Sequence, residues 1–499
     1  MIKEIKGARA SGCPIIFVRT QDQPDCARRV QLALCGETNN KPVVIHDCCR
    51  GFTAGNKQGT KIINEVLGDM SPTIMTEPQT ALDAIRSAKD CIVICLGADR
   101  WMAEPRPAFA ALLTRDTFKE NGSSLVCLGS AYTVASELGA DVVIVDDPPP
   151  DTEARSKIID SIVEDANIKA DQETRNVMLT YTRGLSAFAA EQTCALAVTK
   201  SGFDLSVAER SWREQIDATP GLRMLTDRPD PDSVAGLAAW TKHIERMSNG
   251  RQPPEAVVFI DEIEKSLAGS SGSSADSSGS SQQVLGRMLT EMENTGAQGS
   301  IMVGPPGVGK SLAAQVAGVV LGVPTIALNP SDLKGSLVGE TERNATRTMA
   351  VIRALAGRAY WIATCNGVSS LPPELLRRFT DGVWMFDLPD DKELAAIWAV
   401  HLKARGFKPS DRWTNDKNWT GADVRNVCRA AWNANVSIAE IAQDHVPSSR
   451  ASADIIERLR RAASGAYRSA QYAGPYQDPT TSQDVVTGSK PQRKFANKE

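Results

Sequence analysis

Ser300-Ile-Met-Val-Gly304-Pro-Pro-Gly-Val-Gly-Lys310-Ser311-Leu-Ala-Ala-Gln-Val-Ala-Gly-Val-Val320 is the stretch from which the fold can be read. A short apolar run, a glycine-rich turn and an apolar helical run follow one another, and the turn has the Gly-x4-Gly-Lys-Ser spacing of a P-loop. Chemistry explains the spacing. Glycines let successive backbone N–H groups and a helix N-terminus converge on phosphate oxygens. The loop Gly304, Pro305, Pro306, Gly307, Val308, Gly309 is thus the expected cradle, with Leu312 in the first turn of the helix behind it. Lys310 is placed to reach the β- and γ-phosphates, and the Ser311 hydroxyl to join a Mg²⁺ shell. ATP or GTP binding is the expectation.

Hydrolysis needs more, namely a carboxylate for Mg²⁺ and a group that orients the attacking water. The apolar strand downstream, AYWIATCN (359–366), ends in Asn366 and carries no carboxylate. Upstream, Ala256-Val-Val-Phe-Ile-Asp261-Glu262 is an apolar strand ending in a carboxylate pair. Since only position in space matters for catalysis, that strand can complete the site from either side of the P-loop in sequence.

These segments, together with LVGETERN, LPPELLRR and WTGADVRNVCRAA, resemble the AAA+ ATPases, and most closely the poorly characterised AAA family of cyanobacteria and algal chloroplast genomes. The usual order there is P-loop, pore-loop helix, acidic strand, sensor strand. Here the acidic strand and the helix QQVLGRMLTEMEN come first, so the resemblance implies a circularly permuted AAA+ core over roughly 236–472. It implies that Asp261 holds Mg²⁺ with Ser311, that Glu262 polarises the water and that Asn366 orients it. Arg378, with Arg377 behind it, falls where the family places arginine fingers that act on a neighbouring subunit's phosphoryl group. This chain reads RRFTD there instead of GRFD. Thr420-Gly-Ala-Asp423 resembles the start of the lid helix over adenine, with Arg425 a nucleotide contact. Leu337-Val338-Gly339 stands where relatives carry an aromatic pore loop, and a leucine offers less rigid contact area than an aromatic. A finger in trans implies self-association into a ring, a hexamer by the family's habit.

Outward from this core, residues 1–151 alternate Val/Ile-rich runs (14–20, 42–47, 90–97, 123–129, 141–147) with helical spacing, which predicts a parallel sheet covered by helices. After the first run stands RTQDQPDCARR, without a glycine or lysine for phosphate. A degenerate ATPase-like α/β domain is expected, and TRGLSAFAAEQ (182–192) resembles the same family's N-terminal half. A helical subdomain and linker over 152–235 follow, then the P-loop core over 236–390, a helical lid over 391–475 and a disordered tail over 476–499. The Ser/Gly-rich segment 266–281 reads as a mobile loop.

Composition narrows the function classes. With 499 residues, 42% hydrophobic and 23% charged, the chain is long enough for about three domains. Its 60 acidic and 56 basic side chains give a formal charge of −4. This charge, and the lack of a basic stripe interleaved with aromatics, argue against a dedicated nucleic-acid binder. The start, MIKEIKGARASG, lacks the apolar stretch of a signal peptide, and the run from Ala313 to Leu328 is broken by Gln315, Gly318, Gly322 and Pro324. A cytoplasmic protein without a membrane span is expected. Eleven cysteines in such a chain read as reduced and buried, and His46-Asp47-Cys48-Cys49 lacks the second pair that a metal site would need. The sequence therefore predicts an Mg-ATP hydrolase that remodels a protein partner. The alternatives are an ATP-gated scaffold with slow turnover, or a nucleic-acid-associated ATPase.

Overall fold

The computed structural model describes residues 1–35, 41–68, 70–130, 132, 138, 141–231, 234–267, 275–335, 340–367 and 371–480. They form two compact units. Met1–Leu222 with Gly286–Met288 and Asp332–Leu355 make the first, and Arg223–Leu285 with Leu289–Ser331 and the chain from Ala356 onward make the second.

The first unit is built on β1 (Ile15–Arg19), β2 (Val43–Asp47), β3 (Gly51–Ala54), β4 (Ile92–Cys95), β5 (Ser124–Gly129) and β6 (Val142–Asp146), in the order β3-β2-β4-β5-β1-β6. Five strands are parallel and match the five apolar runs. The sequence reading lacked β3, which pairs antiparallel with β2 across a tight turn, so the sheet is mixed. Both faces are buried, and the strand residues alternate between them. Phe17, Val93, Leu125 and Cys127 face a core with the helices Lys57–Leu67, Pro78–Ile85 and Pro105–Asn121. Ile16, Val18, Ile92, Ile94 and Val126 face the helices Ile2–Ala10 and Gln23–Cys35. Where a phosphate loop would follow β1, the buried Asp147 carboxylate accepts from Thr20 Oγ1 at 2.8 Å and from Arg29 at 2.9 and 2.7 Å. These donors compensate the charge of a carboxylate whose side chain is only 4% exposed. Four helices follow (Thr152–Asp165, Gln172–Tyr181, Ala187–Ala197, Leu205–Asp217), each begun by a side-chain cap from Asp151, Asp171, Ser186 or Asp204. A small hairpin, β7 (Val198–Thr199) and β8 (Gly202–Phe203), lies among them.

The second unit holds β9 (Leu222–Met224), β10 (Ala256–Ile260), β11 (Gln298–Val303), β12 (Thr325–Leu328), β13 (Ala359–Cys365), β14 (Val383–Met385) and β15 (Arg468–Ser469), in the order β15-β14-β11-β13-β10-β12-β9. Val257, Phe259, Met302, Tyr360 and Ile362 share a core with Trp240 and Ile244 of one helix and Ala313, Ala314 and Ala317 of the P-loop helix Lys310–Leu321. A helical segment follows from Asp391, and Leu394, Trp398, Val424, Val427 and Ile438 form its own core. Its helix Gly421–Ala434 starts with a reciprocal capping box between Thr420 and Asp423.

Three expectations change. The strands run along the chain as β10, β11, β12, β13, with the strand that leads into Asn366 still last. A circular permutation would carry β13 ahead of β11 as well, and the chain order does not do so. The helix Ala275–Asn294 begins inside the Ser/Gly-rich segment, whose residues 268–274 lie outside the described residues. The tail does not begin at 476. Tyr476 is buried and donates to Asp387 Oδ2 at 2.6 Å, beside the Arg460–Asp387 ion pair, because a buried carboxylate requires such donors. Residues 481–499 lie outside the described part. No described helix is long and apolar enough to cross a membrane.

Candidate active site

Three parallel strands bring their C-terminal ends to one place. The register pairs Ile260 of β10 with Ala363 of β13, and Val303 of β11 with Cys365. The residues that follow, Asp261, Gly304 and Asn366, therefore leave the sheet side by side, in the crevice where parallel sheets bind ligands. Thr364 Oγ1 donates to Asp261 Oδ1 at 2.5 Å and Ser311 Oγ donates to the same oxygen at 3.0 Å. Glu262 turns with φ of +47°, a left-handed conformation unusual for a residue with a Cβ, and its N–H is held by Thr364 Oγ1 at 2.8 Å. Its carboxylate lies 2.5 Å from Lys265 Nζ, which holds it below the usual range.

Gly304 packs against β14's exit so closely that a Cβ would lie 2.0 Å from the carbonyl of Phe386. Gly307 and Gly309 have φ of +84° and +94°, which a side chain would strain. Lys310 is buried and donates to the carbonyls of Gly304 and Pro305 at 2.6 and 3.0 Å and to Asn366 Oδ1 at 3.1 Å. Burial pulls its ammonium down to about 8, opposed by the charges of Glu264, Asp261 and Glu262. A cavity of about 320 Å³ runs from Asp261, Glu262 and Asn366 along the loop Pro306–Leu312 to an apolar end. Val234, Leu237, Ile397 and Ala422 line that end, where burial keeps His401 neutral by lowering it to about 4.

Residues 300–359 match the ATPase family associated with various cellular activities (AAA), and residues 1–146 match the SpoVK-like AAA ATPase N-terminal domain. The chain carries AAA ATPase domains. An AAA domain-containing protein, ycf46, from Guillardia theta is 26% identical over 34% of this chain and 42% of its own length, and its Trieres chinensis counterpart 24% over 30% and 40%. The human ATPase family gene 2 protein homolog B is 26% identical over 31% of this chain and 20% of its own. The chain thus spans about two fifths or less of the length of these curated relatives.

Of the residues expected in the AAA site, Asp261, Glu262, Asn366, Lys310, Ser311, Leu312 and the loop Pro306–Gly309 line the cavity, while Gly304 and Pro305 hold Lys310 from behind. Arg425 lines it too, and the N–H of Ala422 reaches the carbonyl of Gly307 at 3.1 Å, so the helix Gly421–Ala434 abuts the glycine-rich loop directly. Arg377 and Arg378 are not among the lining residues. Arg377 is exposed, and Arg378 is paired with Glu293 at 2.8 Å. Leu337, Val338 and Gly339 lie outside the described residues. Sequence reasoning missed Thr364 and Glu264, whose roles depend on a strand more than a hundred residues away, and His401 on the first lid helix. The cysteines expected to be buried include two, Cys48 and Cys49, that are exposed on the β2–β3 turn.

Proposed function

We propose that this chain binds Mg·ATP in the cavity above β10, β11 and β13 and hydrolyses it, with assembly of several copies completing the site. The observation that carries the reading is the convergence of Lys310, Asp261, Glu262 and Asn366 at the ends of three adjacent strands. The residues fit the ligand. Two positive-φ glycines give the loop a path that side chains at those two positions would strain, and the hard oxygens of Ser311 and Asp261 already face each other at 3.0 Å. Bound there, Mg²⁺ supplies charge neutralisation for the phosphates. Lys310 would leave its carbonyl partners for phosphate oxygens, and Glu262 and Asn366 would hold the attacking water. The apolar end among Val234, Leu237, Ile397 and Ala422 suits a base, with a neutral His401 beside it. The β10 strand acts as the acidic strand transposed ahead of the P-loop. In support, the family match begins at β11 and stops at Ala359, which leaves β10 outside, as a unit placed ahead of the P-loop would be.

The partner class that suits such a machine is a protein, and Arg377 or Arg378 would act across the boundary between copies. A second reading, an ATP-gated scaffold with slow turnover, is favoured by one feature: Glu262 and Arg378 are both engaged, by Lys265 and Glu293. Mg²⁺-dependent ATP hydrolysis across protein concentration, beside Glu262→Gln, tests both. Specific activity rising with concentration and lost in Glu262→Gln is expected. ATP bound by both proteins without turnover in either would favour the scaffold. Loss of tight nucleotide binding in Lys310→Ala is expected as well, and retained affinity would count against the P-loop assignment.

A further inference from the structure

Glu264 lies two residues beyond the acidic pair, at the start of the helix Ile263–Leu267, and its role follows from what it touches. Its Oε1 accepts from the backbone N–H of Asn366 at 3.1 Å and from Nδ2 of the same residue at 3.0 Å. Its Oε2 is buried and has no hydrogen-bond partner among the described residues. On the far side of the amide, Asn366 Oδ1 accepts from Lys310 Nζ at 3.1 Å.

We propose that Glu264 is a positioning residue that fixes the Asn366 amide with its oxygen toward the phosphate cavity, which deepens the hydrolytic reading given above and rests on it. A side-chain amide has two orientations of nearly equal shape, so its neighbours decide between them. Turned over, Oδ1 would face a carboxylate oxygen, acceptor against acceptor, and the NH2 group would face an ammonium, donor against donor. Both contacts oppose the flip. A buried carboxylate with an unused oxygen also has a strong demand for donors, which keeps Nδ2 on it. Once Lys310 turns to phosphate oxygens, Asn366 Oδ1 is left facing the cavity as a bare acceptor. An acceptor there takes an O–H of the attacking water and aims its lone pair at the phosphorus. A donor there would instead bind phosphate.

The test is turnover and nucleotide affinity of Glu264→Ala, Glu264→Gln, Asn366→Ala and the double variant Glu264→Ala/Asn366→Ala. Positioning predicts a fall of about 10- to 100-fold in kcat for Glu264→Ala, with nucleotide Kd within about threefold. Glu264→Gln, which keeps an acceptor for Nδ2, recovers most of the loss, and the double variant is no slower than Asn366→Ala. Were Glu264 only a counter-ion for Lys310, Glu264→Gln would behave as Glu264→Ala, Kd would move, and the loss would persist without Asn366. Those results would overturn the assignment. Should Glu264→Ala not fold, Glu264→Met, which keeps the volume and removes both acceptors, replaces it. If the wild type shows no turnover, the hydrolytic reading fails separately. A neutron structure with a non-hydrolysable ATP analogue, in which the amide N and O are distinguished, then decides the assignment: Nδ2 on Glu264 upholds it and Nδ2 on phosphate overturns it.

Discussion

At the scale of the residue, the acidic pair at the end of β10 is divided by one turn of backbone. Asp261 directly follows the last strand residue and meets Ser311 and Thr364, whereas Glu262 takes a positive φ that swings its carboxylate toward Lys265. Both partners of that ion pair are substantially exposed, so it is a contact that water and salt weaken and that a ligand can displace. It still has a chemical consequence. The hydrogen bond from Lys265 is the first cause holding the Glu262 carboxyl below the ordinary range, and a weaker base polarises water less well. Lys265→Ala is expected to raise kcat by about two- to fivefold. The sign of the pH effect follows: a carboxyl held low stays ionised further into acid, so removing Lys265 moves the acid limb of the rate profile to higher pH. An unchanged acid limb would show that Glu262 already leaves Lys265 in the working state.

At the scale of the element, parallel register rather than proximity in sequence assembles the site, and this decides what could be read in advance. The loop from Gly304 to Ser311 was legible because its signal is local, the whole glycine-and-lysine spacing falling within one short stretch. Asp261 and Glu262 were legible because a carboxylate pair ends an apolar strand, and Asn366 because its place after AYWIATC resembles the family's sensor position. Glu264 was not, since the amide it holds lies 102 residues on and nothing within the sequence DEIEK distinguishes it from a solvated helix carboxylate. The four residues of β3, GFTA, carry too little β-branched character to announce a strand. The hold of Asp387 on Tyr476 cannot be seen from a polar C-terminal composition. The lid gives a prediction of its own. His401, on the helix Asp391–Lys403, is depressed to about 4 by burial first and by the charges of Arg405 and Arg425 second. Its unfolded value is near 6.5, so the unfolded chain binds this proton more readily between the two values. Stability is then full above about pH 6.5 and declines as the pH falls toward 4. His401→Gln should remove that decline. Between pH 7.5 and 5 the wild type is expected to lose about 2–4 °C more in Tm than the variant, and equal losses by calorimetry would contradict it.

At the scale of the whole molecule, Asp261, Glu262, Asn366 and the loop Pro306–Gly309 line one cavity, and the two arginines expected as fingers do not. Neither Arg377 nor Arg378 lines the cavity, although the short helix Pro373–Arg378 presents both at its end. Arg378 is held by Glu293, and Arg377 is exposed without an ion-pair partner among the described residues. A cation stabilising the transferring phosphoryl group is worth orders of magnitude in rate, so it matters greatly whether these arginines reach a neighbour's site. Two crippled proteins answer this. Arg377→Ala/Arg378→Ala keeps its own acidic pair and offers no finger, while Glu262→Gln offers fingers and cannot use its own site. Each alone should be inactive. If the arginines act in trans, an equal mixture that exchanges subunits should recover activity. Half of its sites retain Glu262, and half of those face a neighbour with arginines, so about a quarter of wild-type activity per chain is expected. If the arginines act within their own chain, no subunit in the mixture is complete, and the mixture stays as inactive as its parts. Titrating the ratio separates the two further. Recovery in trans peaks at equal amounts, because it depends on the product of the two fractions, whereas contamination of either preparation by active protein would vary linearly with the amount added.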